Sequence, residues 1–139
     1  MGTLTRRQLR EHLLRLLYLR EFHEPAEFDE QFDLYIENFA ALENEEDVKE
    51  LRDRFDAIGS HLDEIDKMIE KAASNWKFSR IGKIELMVLR IALFEIRFDD
   101  EVPNKAAINE AVEISKAYGS DDMSYGFVNG VLGSVVKED

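Results

Sequence analysis

The run of residues 84–98, IELMVLRIALFEIRF, constrains the fold of this chain more than any other stretch. Eleven of its fifteen residues are apolar, and only Glu85, Arg90, Glu95 and Arg97 interrupt them. Wound as an α-helix, the apolar positions cover nearly the whole circumference. A helix that is apolar all round belongs inside a core rather than on a surface. The run is too short and too charged to span a bilayer, which asks for roughly 20 mostly apolar residues. It is therefore predicted to be the central helix of a soluble helical domain.

The rest of the chain supplies enough material to surround such a helix. Its 139 residues suit a single domain, and 45% of them are hydrophobic. No cysteine is present, which removes disulfides and thiolate metal sites and fits a reducing compartment. Arg6, Arg7 and Arg10 interrupt the N-terminus before an apolar signal segment could form, so a cytoplasmic location is expected. The net charge is −12, but it is unevenly spread. Residues 1–20 hold five Arg and one Glu; residues 21–70 hold four basic and eighteen acidic residues. The last segment, 71–139, is near balance, with nine basic and eleven acidic residues. The basic charge thus gathers at the start of a chain whose middle is strongly acidic.

Apolar spacing places helices along the whole length. Thr5 can cap a first helix over residues 5–20, with Leu9, Leu13, Leu16 and Leu17 inward. Arg7, Arg10, Leu14 and Tyr18 fall on an adjoining stripe: either a solvated edge of a core helix, or a strip of phosphate-contacting cations with an aromatic at its end. Pro25 breaks that helix, and Phe28, Phe32, Tyr35, Ile36, Phe39 and Leu42 mark a second. Asn44 can cap one long third helix to about residue 74, with Gly59 as a bend or close contact. A short turn over residues 76–81 leads into the central helix. Pro103 ends that helix, and Asn104 can cap the next, which Gly119 stops near Tyr118. Asp121 or Asp122 can cap a last helix carrying Phe127, Val128, Val131, Leu132 and Val135, in which Gly130 allows close helix approach. No alternating strand pattern and no internal repeat occur. The expected fold is all-α, with six or seven helices in two small bundles: an N-terminal subdomain over residues 1–74 and a C-terminal one over residues 75–139.

Residues that could carry chemistry are sparse. His12, His23 and His61 are scattered and share no ligand spacing, which argues against a zinc site or catalytic dyad. Gly130 and Gly133 lack the lysine of a phosphate loop, and no serine sits in a nucleophile elbow. No catalytic residue, metal or cofactor is expected, and the chain reads as a non-enzyme. Arg90, amid Leu89, Ile91, Ala92 and Leu93, needs a partner and is read as half of a structural ion pair with a carboxylate on a neighbouring helix. Glu95 is read as a second internal tie, and Glu85 and Arg97, nearer the ends, as surface residues.

Four blocks, in order, carry a family resemblance. Arg6-Arg7-Gln8-Leu9-Arg10 followed by Leu17-Tyr18 resembles the N-terminal arginine motif of the NusB family of bacterial transcription antitermination factors. Leu89-Arg90-Ile91-Ala92-Leu93-Phe94-Glu95 resembles that family's central helix. Val102-Pro103-Asn104-Lys105 with Ala107-Ile108-Asn109-Glu110-Ala111-Val112-Glu113, and then Phe127-Val128-Asn129-Gly130-Val131-Leu132, resemble the next two blocks. The chain departs from the pattern at Leu13 and Leu14, at Gly133, and in a loop before Phe127 that is about one residue longer than usual.

The resemblance implies a two-bundle helical protein without catalytic activity. It implies a ribosomal small-subunit protein, also called NusE, as partner. The pair would bind single-stranded boxA RNA of nascent ribosomal RNA transcripts and join the RNA polymerase elongation complex with other Nus factors. Carried over by position, Arg6, Arg7 and Arg10 would contact phosphates, and Tyr118 and Phe127 would lie on the RNA-facing surface. Tyr18 and Glu85 match positions of the protein-partner surface. Two rivals stand beside this reading: a protein-only adaptor or homodimer without RNA contact, and a detached form of the related domain found on some RNA cytosine methyltransferases, for whose cofactor domain this chain has no room.

Overall fold

Helix α1 (Arg6–Arg20) starts where the sequence expects it. The Thr5 hydroxyl accepts from Gln8 N at 3.0 Å, and the Gln8 side chain returns a bond to Thr5 N at 2.9 Å. This reciprocal box satisfies two of the donors that a helix start leaves orphaned. In the computed structural model, which describes residues 2–137, six further α-helices follow: α2 (Phe28–Leu34), α3 (Glu45–Ser60), α4 (Leu62–Ala72), α5 (Lys83–Phe98), α6 (Asn104–Tyr118) and α7 (Ser124–Lys137). Short 3-10 turns at Pro25–Glu27 and Phe78–Arg80 and a π-helical turn at Tyr35–Ala40 complete the helical elements. No strand occurs among the described residues, so the all-α fold is confirmed. Met1, Glu138 and Asp139, the ends of the expected domain span, lie outside the described residues.

The chain divides after Gly59 into two compact units. In the first, Leu9, Leu13, Leu14, Leu16 and Leu17 of α1 are buried, as are Phe32, Tyr35, Leu51, Phe55 and Ile58. The π-helical turn ends at Ala41, whose φ of 51° lies in the left-handed region and breaks the helix before Asn44. Asn44 Oδ1 then accepts from Glu46 N and Asp47 N and caps α3.

In the second unit, α5 packs against α4, α6 and α7. Every residue from Glu85 to Glu95 is buried, as an all-round apolar helix requires. Burial of each large apolar side chain there is worth about 1.5–3 kcal/mol. Arg90 donates from Nε and Nη2 to the Asp66 carboxylate of α4 at 2.9 and 2.8 Å, the ion pair its setting demands. Glu95 is buried, and Arg97 Nη2 donates to Val135 O on α7.

Two local expectations give way. The predicted long helix over residues 44–74 is two helices. Gly59 weakens the helical backbone, and His61 leaves it at φ −107°, ψ 10°. The His61 ring stacks on Phe98, centroids 3.9 Å apart, instead of continuing the turn. Gly130 is the other. It lies on the exposed face of α7, where a Cβ would meet no atom within 4 Å, so it mediates no close helix approach within this chain.

Candidate nucleic-acid interface

In the first unit the arginine motif is built on the capped start of α1. The segment before it is anchored: the buried Asp47 carboxylate accepts from Thr3 N, Thr3 Oγ1 and Leu4 N at 2.8, 2.5 and 3.2 Å. These bonds, led by the Thr3 hydroxyl, hold the Asp47 pKa below its usual value. Arg6 and Arg7 are exposed. Arg6 forks onto Glu50 of α3 with two bonds of 2.8 Å, and the guanidinium lowers the Glu50 pKa. Arg10 is different: only 8% of its surface is exposed, so it belongs to the packing of α1 more than to the solvent face. Leu14 is buried too, and of the expected stripe Arg7 and Tyr18 remain exposed. Tyr18 sits beside Phe22, ring centroids 5.1 Å apart, and Phe22 is itself 61% exposed.

In the second unit the conspicuous feature is a cleft of about 130 Å³ lined by Trp76, Arg80, Ile81, Gly82, Glu85, Asp121, Met123, Ser124 and Phe127. It brings together two expected site residues, Glu85 and Phe127. Tyr118, half-buried at the end of α6, is not among its walls. Glu85 is buried, not on the surface as the sequence reading held. Its carboxylate accepts from Ser120 N at 3.0 Å, Ser120 Oγ at 2.7 Å and Ser124 Oγ at 3.1 Å. It thereby pins the 119–124 loop against the start of α5. Two glycines make room for this. A Cβ on Gly82 would collide with the Glu85 carboxylate, and one on Gly119 would fall 2.4 Å from Ser115 O and 2.5 Å from Ser124 Cβ. Gly119 has φ −62° and ψ 158°, so α6 ends there on an extended, not a left-handed, backbone, and the lack of space for a side chain is what calls for glycine. Asp121 Oδ1 accepts from Met123 N at 2.8 Å, and α7 begins at Ser124.

Phe127 has a partner that the sequence reading missed. Trp76 packs on it edge to face, centroids 5.3 Å apart at 71°, yet remains 61% exposed. The overlooked signal was local: residues 76–83, WKFSRIGK, interleave Trp76 and Phe78 with Lys77, Arg80 and Lys83 and contain no acid. Such interleaving of cations and aromatics marks nucleic-acid surfaces. Nearby, Lys116 lies over the exposed Tyr125 ring at 5.4 Å. Among the described residues no group of acidic, histidine or cysteine side chains could hold a metal ion, and no helix is long and apolar enough to cross a membrane.

Comparison with known proteins converges on one family. The family model described as the NusB family matches residues 7–137. The transcription antitermination protein NusB of Lachnoclostridium phytofermentans is 50% identical over 133 residues, covering 96% of this chain and 99% of that protein. Its counterpart in Agathobacter rectalis is 39% identical over 129 residues, covering 93% and 97%. Among solved structures, T. maritima NusB matches with a TM-score of 0.81 at 28% identity, over 99% of this chain and 94% of that one. A crystal structure of the antitermination factors NusB and NusE in complex with dsRNA matches with a TM-score of 0.79 at 25% identity, over 96% and 97%.

Proposed function

Because this chain belongs to the NusB family, we propose that it acts as a transcription antitermination factor that binds single-stranded boxA RNA together with NusE. The pair then joins the RNA polymerase elongation complex on ribosomal RNA operons. The observation that carries this reading is the pair Arg6 and Arg7, exposed at the capped start of α1 in a chain of net charge −12. Cations that stay clustered in so acidic a protein have a polyanion as their natural counterpart. In the complex, phosphates compete with Glu50 for the Arg6 fork. Arg10 supports this surface by packing α1, and Tyr18 with Phe22 offers NusE an aromatic patch. Glu85 acts from beneath by holding the 119–124 loop.

A titration of labelled boxA RNA with the chain and NusE tests the reading. Arg6→Ala and Arg7→Ala should each weaken binding about tenfold or less, and each should reduce the slope of log affinity against log salt by about one. Neither residue is buried, so circular dichroism should stay unchanged. Unaltered affinity and slope in the double variant would defeat the proposal. A NusE complex that forms equally well with and without RNA, and never retains the RNA, would instead identify a protein-only adaptor.

A further inference from the structure

We propose that Trp76 and Phe127 form the two walls of a subsite for one unpaired nucleobase, with the flanking phosphates held by Lys77 and Arg80. This rests on the RNA-binding reading above and extends it to residues outside the arginine motif. The rings stand nearly perpendicular, 5.3 Å between centroids, so a base stacked on one meets the edge of the other. The indole is displayed rather than adrift. Trp76 N donates to Ala73 O at 2.9 Å, and the turn after it is closed by Arg80 N to Lys77 O at 2.9 Å and Ile81 N to Phe78 O at 3.1 Å. A tryptophan held by a hydrogen-bonded turn, yet 61% exposed, is already ordered for a planar ligand.

Charge selects the ligand class and its orientation. The cleft wall includes the exposed Asp121, whose carboxylate repels a phosphate but accepts from the N–H edge of a base, whereas the buried Glu85 carboxylate is already taken by Ser120 and Ser124. Lys77 and Arg80 are exposed on the stretch that carries the indole, where they attract a polyanionic backbone. Base inward and phosphate outward is the arrangement this polarity allows. A duplex keeps its bases stacked internally, so only an unpaired base can enter. Base–aromatic stacking contributes enough per base for its loss to be measured.

Trp76 is the only tryptophan of the chain, so its fluorescence reports this subsite alone. The test uses the full chain with a NusE variant lacking tryptophan, and follows boxA RNA both by anisotropy of the labelled RNA and by Trp76 emission. RNA should quench Trp76 as it binds, and Trp76→Ala should weaken RNA binding about tenfold or more. Trp76→Phe, which keeps a flat ring, should recover most of that loss, and Lys77→Ala with Arg80→Ala should flatten the salt slope. If RNA binds while Trp76 emission and the affinity of Trp76→Ala are unchanged, the subsite is refuted and the RNA reading survives. If NusE alone changes the emission and RNA adds nothing, Trp76 belongs to a protein interface and the subsite is refuted equally. If no RNA binds at all, the functional reading fails and takes this inference with it.

Discussion

Arg90 is buried in α5, and its guanidinium meets the Asp66 carboxylate with two short bonds while Nη1 lies 3.7 Å from Met87 Sδ. The two sides of the pair are unequal. The Arg90 side chain is 8% exposed, whereas that of Asp66 is 24% exposed. Removing the aspartate takes the bidentate carboxylate away from a buried cation; removing the arginine leaves a carboxylate that water can reach. Asp66→Ala should therefore destabilise the protein more than Arg90→Met, which keeps the packed stem and discards the charge. We expect about 3 kcal/mol or more for the first and clearly less for the second in urea unfolding. The opposite order would show that the pair matters through Arg90 packing alone. This pair was legible in the sequence because one charge inside an apolar run demands a partner. Glu85 was not: its partners Ser120 and Ser124 lie 35 and 39 residues away, and nothing in its own helix points to them. The burial of Arg10 was hidden for a related reason. Leucines flank it on α1, and the pattern alone does not say where the buried face stops.

Helix placement was readable wherever a cap or a proline marked an end. Thr5 and Asn44 cap as their side chains allow, and α5 stops ahead of Pro103. The break between α3 and α4 was not readable, because Leu51, Phe55, Ile58, Leu62, Ile65 and Ile69 keep helical spacing straight through it. At the break His61 leaves the helical backbone and its ring stacks on Phe98, a contact made with a residue far along the chain. Glycines show the same division. The sequence assigns a stop to Gly119, a bend or close contact to Gly59 and a close approach to Gly130, but the close approaches are at Gly59, Gly82 and Gly119. Gly119→Ala should push its methyl into Ser115 O and Ser124, loosening the loop that Glu85 pins, at a cost of about 1–3 kcal/mol. Gly130→Ala, with open space on an exposed helix face, should stabilise by about 0.5–1 kcal/mol through helix propensity. Thermal melts of the two variants should shift in opposite directions. Equal shifts would mean that the loop yields freely to a methyl group.

Charge is the property that belongs to the chain as a whole, and it sets the conditions under which the proposed function can operate. Five arginines stand in the first twenty residues, and eighteen acidic residues stand in the next fifty. Near physiological salt the screening length is about 8 Å, so an RNA phosphate at Arg6 or Arg7 senses those cations and the nearby Glu50, but little of any acid that lies farther than that. At about 0.01 M salt the length grows to about 30 Å, and the net charge of −12 repels the same phosphate. For the chain alone, RNA affinity should therefore rise less steeply as salt falls, and level off at the low end. A basic ribosomal partner seated against the acidic segment would cancel much of that repulsion and add cations of its own. With NusE present the affinity should be higher throughout and the log–log salt plot should remain straight and steep. RNA titrations between about 0.01 and 0.15 M salt, with and without NusE, measure both slopes. A chain that alone shows the same straight, steep plot as the complex would mean that its acidic segment plays no part in making RNA binding depend on the partner.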